Sequence, residues 1–330
     1  RRNAENFGPG GLKAAIEYCH GRGVEVHVTL NTLIRDEERE AFLQTAREVI
    51  EAGADAVIVQ DMGAAAYLRR LCPELPLSAS TQMAIHNAAG AKKMEEMGFF
   101  QAVLARELSL KEIKYIHDNT NIRLETFVHG AHCMSVSGMC YMSAALGERS
   151  GNRGLCAQPC RLNFVCRGRE YALSLKDLSF VAHIKELEQA GVTTLKIEGR
   201  MKRPEYTGIV TGVYAKAIRE QRNPDKEEME LLEKTFSRQG FTQGYFIGDK
   251  LDMFGVRSEP DKDADKIFAA ARKQYAEGEM RRVPVHFYTV LEKGEHIKAI
   301  AFDDDGHKAI ATGPVPERAK RQGLTEQYLT

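Results

Sequence analysis

The sequence has no tryptophan, no surplus of either charge and no long apolar run. Basic and acidic residues number 46 each, so the formal net charge is zero. The total therefore excludes a uniformly basic nucleic-acid binder. No stretch approaches the roughly 18 apolar residues a membrane-spanning helix needs. No N-terminal segment has the charged, apolar and small-residue order of a secretory signal. A soluble cytoplasmic protein is the expectation. No G-x-G-x-x-G opens a helix, which weakens an open dinucleotide-binding sheet. H-E-x-x-H, G-x-S-x-G and cysteine-protease elements are also missing, so residue chemistry names no hydrolase.

What is present starts with cysteine. There are seven, at 19, 72, 133, 140, 156, 160 and 166. An odd number in a chain without a secretory signal argues against a disulfide framework. Cys19 and Cys72 fall in helical stretches and read as core. The other five lie within 34 residues, in a glycine-bearing segment from His129 to about Arg169. The spacing Cys133-x6-Cys140-x15-Cys156-x3-Cys160 offers four soft thiolate ligands. Four thiolates suit zinc or an iron–sulfur cluster. Structural zinc sites prefer tight pairs, and the x6 gap is too wide for one. A four-iron–four-sulfur cluster fits the spacing at least as well, with zinc as the alternative. Cys166 is a spare that can stand in for one of the four, Cys160 being the position it would most naturally replace.

The rest of the chain alternates short apolar strands with helices of about 10–17 residues, the pattern of a buried parallel sheet with helical crossovers. Strands are expected at 24–30, 55–59, 77–80, 102–105, 122–128 and 194–197. Helices are expected at 10–22, 36–52, 63–72, 87–97, 109–117, 176–190, 204–220 and 225–239, and 171–175 reads as extended. Six strands of this kind suggest a (β/α)8 TIM-type barrel lacking its first two, with an open doubly wound sheet as the alternative. A start at Arg1-Arg2-Asn3 without Met, and an end at Thr330 soon after β segments begin, read as a piece of a longer protein. The expected organisation is a barrel over 1–222 with a Cys-rich loop at 129–169. A helical and Gly-aromatic connector follows over 223–280, and a small β domain begins at 281–330.

In such a barrel the working residues lie just beyond the C-terminal strand ends. Those positions hold Asn31, Gln60, Asp61, Thr81, Gln82, Arg106, Glu107, His129, Glu198 and Arg200. Singly each reads as a cap or turn residue; converging on one rim they make a site. Lys196-Ile197-Glu198-Gly199-Arg200-Met201-Lys202 puts acid and base side by side. Glu198 and His129 are the candidate proton-handling groups. Arg161, Arg200, Lys196, Arg153, Gln82 and Arg106 are the candidate substrate contacts. Five arginines and no acid lie between Arg149 and Arg169, an anion patch or a solvated loop.

These residues carry a resemblance. Glu125-Thr126-Phe127-Val128-His129-Gly130-Ala131-His132-Cys133 and Gly138-Met139-Cys140-Tyr141-Met142-Ser143 resemble the signature of the U32 peptidase family, the collagenase-like proteases. His132 departs from it, standing where the family has an aliphatic residue. Asn152 to Arg161, Ser174 to Leu178, Lys196 to Lys202 with Pro204-Glu205-Tyr206, and Gly240 to Phe246 extend the likeness to about residue 255. The resemblance implies either a peptidase acting on a peptide substrate or an iron–sulfur enzyme that hydroxylates without molecular oxygen. The latter branch acts on RNA, such as the wobble uridine of tRNA, which becomes 5-hydroxyuridine. It implies a small carboxylate oxygen donor such as prephenate, and leaves room for an oligomer or a paralogous partner. A zinc-stabilised barrel that binds RNA or a protein partner without catalysis is the third reading.

Overall fold

The computed structural model describes residues 7–8, 10–136, 139–200, 202–256, 264–277, 284–304 and 306–317. Signature residue Gly138 and Met201 of the rim run lie outside them, as do Arg1–Asn6 and residues 318–330 of the expected β domain. The chain divides into two compact units, Arg1–Ile16 with Glu25–Gly278, and Glu17–Val24 with Glu279–Thr330.

Helix α1 (Gly11–His20) leads to β1 (His27–Leu30), α2 (Arg39–Glu51), β2 (Ala56–Val59), α3 (Met62–Leu71), β3 (Leu77–Ala79), α4 (Ala88–Glu96), β4 (Gln101–Val103), α5 (Leu110–Asp118) and β5 (Arg123–Gly130). All of β2, β3 and β4 is buried, as continuous apolar runs covered by helices require. Helices α3, α4 and α5 start on side-chain caps. Asp61 accepts from the Ala64 N–H, and Ser109 and Glu112 form a capping box on α5.

Beyond β5 come α6 (Met142–Gly147), β6 (Asp177–Ser179), α7 (Ile184–Gln189), β7 (Val192–Ile197), α8 (Pro204–Glu220), α9 (Lys226–Thr235), β8 (Phe241–Thr242), α10 (Gly244–Ile247) and α11 (Ala264–Glu277). The six expected strands are all present, and α8 starts with Pro204 in its first turn. They join in the parallel order β1-β2-β3-β4-β5, with β7 parallel to β5. Among the described residues β1 pairs only with β2, so the sheet is eight-stranded and mainly parallel, without closure into a ring. No helix among them is long and apolar enough to cross a membrane.

The expected helix at 176–190 is corrected. Asp177–Ser179 is a strand, Val181–His183 a 3-10 turn, and only Ile184–Gln189 is α-helical. Pairing decides the difference. Ser179 and Leu178 run antiparallel to His129 and Gly130, and Asp177 and Leu178 run parallel to Phe241 and Thr242. These partners are distant in sequence, and tertiary pairing overrides helical spacing. The extended reading of 171–175 is also corrected. Tyr171 takes φ +49°, the Ser174 N–H bonds the Tyr171 carbonyl, and only Leu175 makes a bridge, to Phe254.

The smaller unit contains an antiparallel sheet of β9 (Val285–Val290), β10 (Lys298–Asp303) and β11 (Lys308–Thr312). After β10 the Gly306 N–H bonds the Asp303 carbonyl.

Candidate functional site

The site is built where the main strands end. Gly130 closes β5 at φ +105°. A Cβ there would lie 2.7 Å from the Glu198 carbonyl oxygen and 3.1 Å from the Tyr206 hydroxyl. Glycine is thus required both for its backbone angle and for the approach of the β7 end. Gly130→Ala is expected to cost about 2 kcal/mol or more and to push Glu198 from its place. A thermal melt of the variant superimposing on wild type would show that the β7 end yields freely.

Glu198 is anchored on both oxygens. Arg106 Nη2 donates to Oε2 at 3.0 Å, and the Arg200 backbone N–H donates to Oε1 at 3.1 Å. The Arg106 guanidinium also lies over the Phe127 ring, 3.8 Å from its centre. The candidates Arg106, Glu198 and Arg200 are therefore brought together across the ends of β4 and β7.

His129 is not on the open rim. It is 1% exposed and packed among Tyr206, Tyr214 and Phe241. Burial, helped by the Lys202 charge, pulls its pKa down to about 3. It is a neutral imidazole whose Nε2 has no hydrogen-bond partner. The group expected to handle protons at the mouth is enclosed by these rings. Lys196 likewise turns inward, donating to the buried carboxylate of Glu125 at 2.5 Å. Glu125 also accepts from Gln101, whose carbonyl oxygen accepts from Thr194.

Arg153 and Arg161, expected as substrate contacts, each bond protein acceptors around the cysteine segment. Arg153 forms a fork on Glu38, at 2.7 and 2.6 Å, and also bonds the Leu33 carbonyl. That fork holds the Glu38 carboxyl down at about 2. Arg161 donates to Ser174 Oγ and to the carbonyls of Leu175 and His132. Both guanidinium groups are committed to protein acceptors. Gln82 is joined with Gln60 to the side-chain amide of Asn152, whose oxygen accepts from the Leu33 N–H. Asn152 is a site residue the sequence reading did not single out. Its only signal was its place beside Arg153 in the run that leads to Cys156.

Burial raises the Cys160 thiol above its ordinary range; Arg161 opposes that rise, and the charges of Cys133, Cys156 and Cys140 add to it. Cys166 is not among the groups that act on it. Backbone N–H groups point at sulfur: Met142 to Cys140 Sγ at 3.3 Å, and Gln158 to Cys156 Sγ at 3.4 Å. The Ser143 hydroxyl lies 3.8 Å from Cys156 Sγ and accepts from the Ala157 N–H. Hydrogen bonds to the sulfurs are one of the features that tune a cysteine-held iron–sulfur cluster. Among the described residues no three His, Cys, Asp or Glu side chains stand ready to hold a single metal ion. Mutual influence among four thiols and coordination of one ion, at about 2.3 Å per sulfur, are different geometric demands. His132, beside Cys133, is buried and stacked on Tyr245 at 5.6 Å. Burial, with Arg106 and Arg161 nearby, pulls its pKa down to about 3, and neither ring nitrogen has a partner.

A mainly parallel α/β sheet whose strand ends carry a four-cysteine loop and an anchored carboxylate defines the class. The chain belongs to peptidase family U32, whose model matches residues 1–253. It is similar to the 23S rRNA 5-hydroxycytidine C2501 synthase of Escherichia coli strain K12, at 38% identity over 79% of this chain and 42% of that protein. It is similar to a collagenase of Porphyromonas gingivalis strain ATCC BAA-308 / W83, at 32% identity over 95% of this chain and 78% of that protein. It is also similar to tRNA hydroxylation protein P1 of Bacillus subtilis strain 168, at 28% identity over 94% of this chain and 81% of that protein. The chain thus spans less than half the length of the ribosomal RNA synthase.

Proposed function

We propose that this chain is the core of an iron–sulfur enzyme that hydroxylates a pyrimidine of RNA. Its cluster would be held by Cys133, Cys140, Cys156 and Cys160, and the sheet would form most of a (β/α) barrel. The observations that support the reading are the place of Cys133, Cys140, Cys156 and Cys160 in one segment beyond β5 and the N–H donors aimed at Cys140 and Cys156. The donor set fits, since four thiolates with amide donors are what such a cluster requires. The relatives named for hydroxycytidine synthesis and tRNA hydroxylation supply the substrate class. Within that class we favour tRNA uridine, with a small carboxylate such as prephenate as oxygen donor.

When bound, the cluster supplies one-electron redox chemistry. The chain's own residues position the reaction. Arg106 and the Arg200 amide hold Glu198 with both oxygens engaged, a fixed acceptor at the strand ends. Arg153, Arg161 and Asn152 tie the cysteine segment to the strand ends so that the thiols keep their places. In this reading Glu198 would move the proton, and preorganised acceptors of this kind are effective because they need no rearrangement.

The test is anaerobic purification with iron and sulfide analysis, followed by mass spectrometry of nucleosides from RNA incubated with the protein and the carboxylate donor. About four irons and four sulfides per chain, with a pyrimidine gaining one oxygen, is the expected result. Zinc without sulfide, or peptide cleavage with RNA left unchanged, would overturn it and favour the reading carried by the name collagenase.

A further inference from the structure

Tyr141 follows directly after Cys140 and is 76% exposed. Its backbone is fixed, because its carbonyl accepts from the N–H groups of Ala144 and Ala145 at 3.0 and 2.9 Å. The aromatic ring is thus presented to solvent from a rigid base. Met139 and Leu146 on either side are also exposed. The helix α6 between them buries only Ser143. Exposed apolar groups clustered beside a reactive site mark a surface that meets a partner.

Two arginines border the same segment. Arg149 places its backbone N–H on the Ser143 carbonyl and its Nε on the Leu155 carbonyl, at 3.1 and 3.0 Å. Arg200 Nη2 reaches the Gly154 carbonyl at 3.2 Å. The two guanidinium groups therefore attach to consecutive carbonyls just ahead of Cys156, the exposed thiol of the four. One side-chain N–H of each is used in these bonds, out of the five a guanidinium carries. Between Met134 and Arg169 the one acidic residue is Glu148, against five arginines.

We propose that Tyr141, Arg149 and Arg200 form a platform that receives an unpaired nucleotide of single-stranded RNA, the base stacking on Tyr141 and the adjoining phosphate lying between the two arginines. The proposal rests on the RNA reading given above and specifies how that substrate is held. An exposed aromatic face beside guanidinium groups is the combination by which single-stranded nucleic acid is bound without reading its sequence. Base-paired RNA keeps its bases stacked on one another and offers the ring no face, so the substrate is a loop, an end or an extruded base. A base on Tyr141 lies next to the Cys140 and Cys156 ligand positions.

The test is fluorescence anisotropy of a short fluorescein-labelled oligouridylate with the anaerobically purified chain, over a range of salt concentrations. Tyr141→Ala is expected to weaken binding roughly tenfold or more, and Tyr141→Phe to keep it, since the ring face is what acts. Arg149→Ala and Arg200→Ala are each expected to lower the slope of log affinity against log salt by about 0.7. Circular dichroism is expected to be unchanged for Tyr141→Ala, because the ring is exposed. Wild-type affinity in Tyr141→Ala, with RNA still bound, would overturn the platform and leave the hydroxylase reading standing. A wild-type chain that binds no oligouridylate would overturn the platform and the RNA reading together.

Discussion

Replacing Arg238 by methionine is expected to cost about 3–5 kcal/mol, the range for a buried ion pair broken on one side. Asp177, the first residue of β6, has a side chain fully shielded from solvent. Arg238 donates to its Oδ1, while Oδ2 has no partner. Burial pushes the Asp177 carboxyl above its usual range, and the charges of Arg238, Lys202 and Arg161 hold it back. Methionine keeps much of the arginine stem but removes the largest of those charges. The carboxyl must then stay buried unpaired or take up a proton. At about 2–4 °C per kcal/mol for a domain of this size, the melting temperature is expected to fall by about 10 °C.

The pH dependence follows from the direction of the shift. With its folded pKa raised further, Asp177 keeps a proton in the variant that the unfolded chain gives up above about 4. Stability is then lost as pH rises through that window, so the deficit is expected to be larger at pH 8 than at pH 5. Asp177→Leu combined with Arg238→Met is expected to recover much of the loss, because an apolar pair of similar volume needs no compensation. Equal melting temperatures for Arg238→Met and wild type, or a deficit independent of pH, would show that the pair does not hold β6 against β8.

Six of the eight sheet strands were legible because each is a short, largely apolar run between helical stretches, and the full burial of β2, β3 and β4 leaves that trace. The limits of α8 were legible from Pro204, which suits a first helical turn. The strand at Asp177–Ser179 was not, since its pairing partners are His129, Gly130, Phe241 and Thr242, and none is marked in the local pattern. The arginines show the same limit. Arg153 is 115 residues from Glu38, and nothing in its own neighbourhood says that its fork is taken by that carboxylate. An arginine beside a cysteine reads as a substrate contact until its partner is known. The cysteine loop was legible from composition and spacing alone, as clustered soft ligands are. Spacing alone does not choose between Cys160 and Cys166 as the fourth ligand, because it cannot say which side chains meet.

That choice yields the sharpest expected contrast: Cys160→Ser is expected to lose the bound iron and Cys166→Ser to keep it. Cys160 lies where the charges of Cys133, Cys140 and Cys156 are felt, and Arg161 beside it is fixed to Ser174 and to the Leu175 and His132 carbonyls. Cys166 lies at the base of a two-residue turn. Its backbone N–H and carbonyl are both bonded to Arg169, at 3.0 and 2.9 Å. Arg167 and Gly168 at the tip take φ +51° and +79°, as a tight hairpin turn requires. The Cys166 thiol is exposed to solvent from the base of this turn. Iron and sulfide analysis of the two anaerobically purified variants, with a visible absorption spectrum for each, measures the contrast. Iron retained in Cys160→Ser and lost in Cys166→Ser would reverse the assignment. Iron retained in both, with Cys133→Ala and Cys140→Ala also retaining it, would remove the loop from the ligand set altogether.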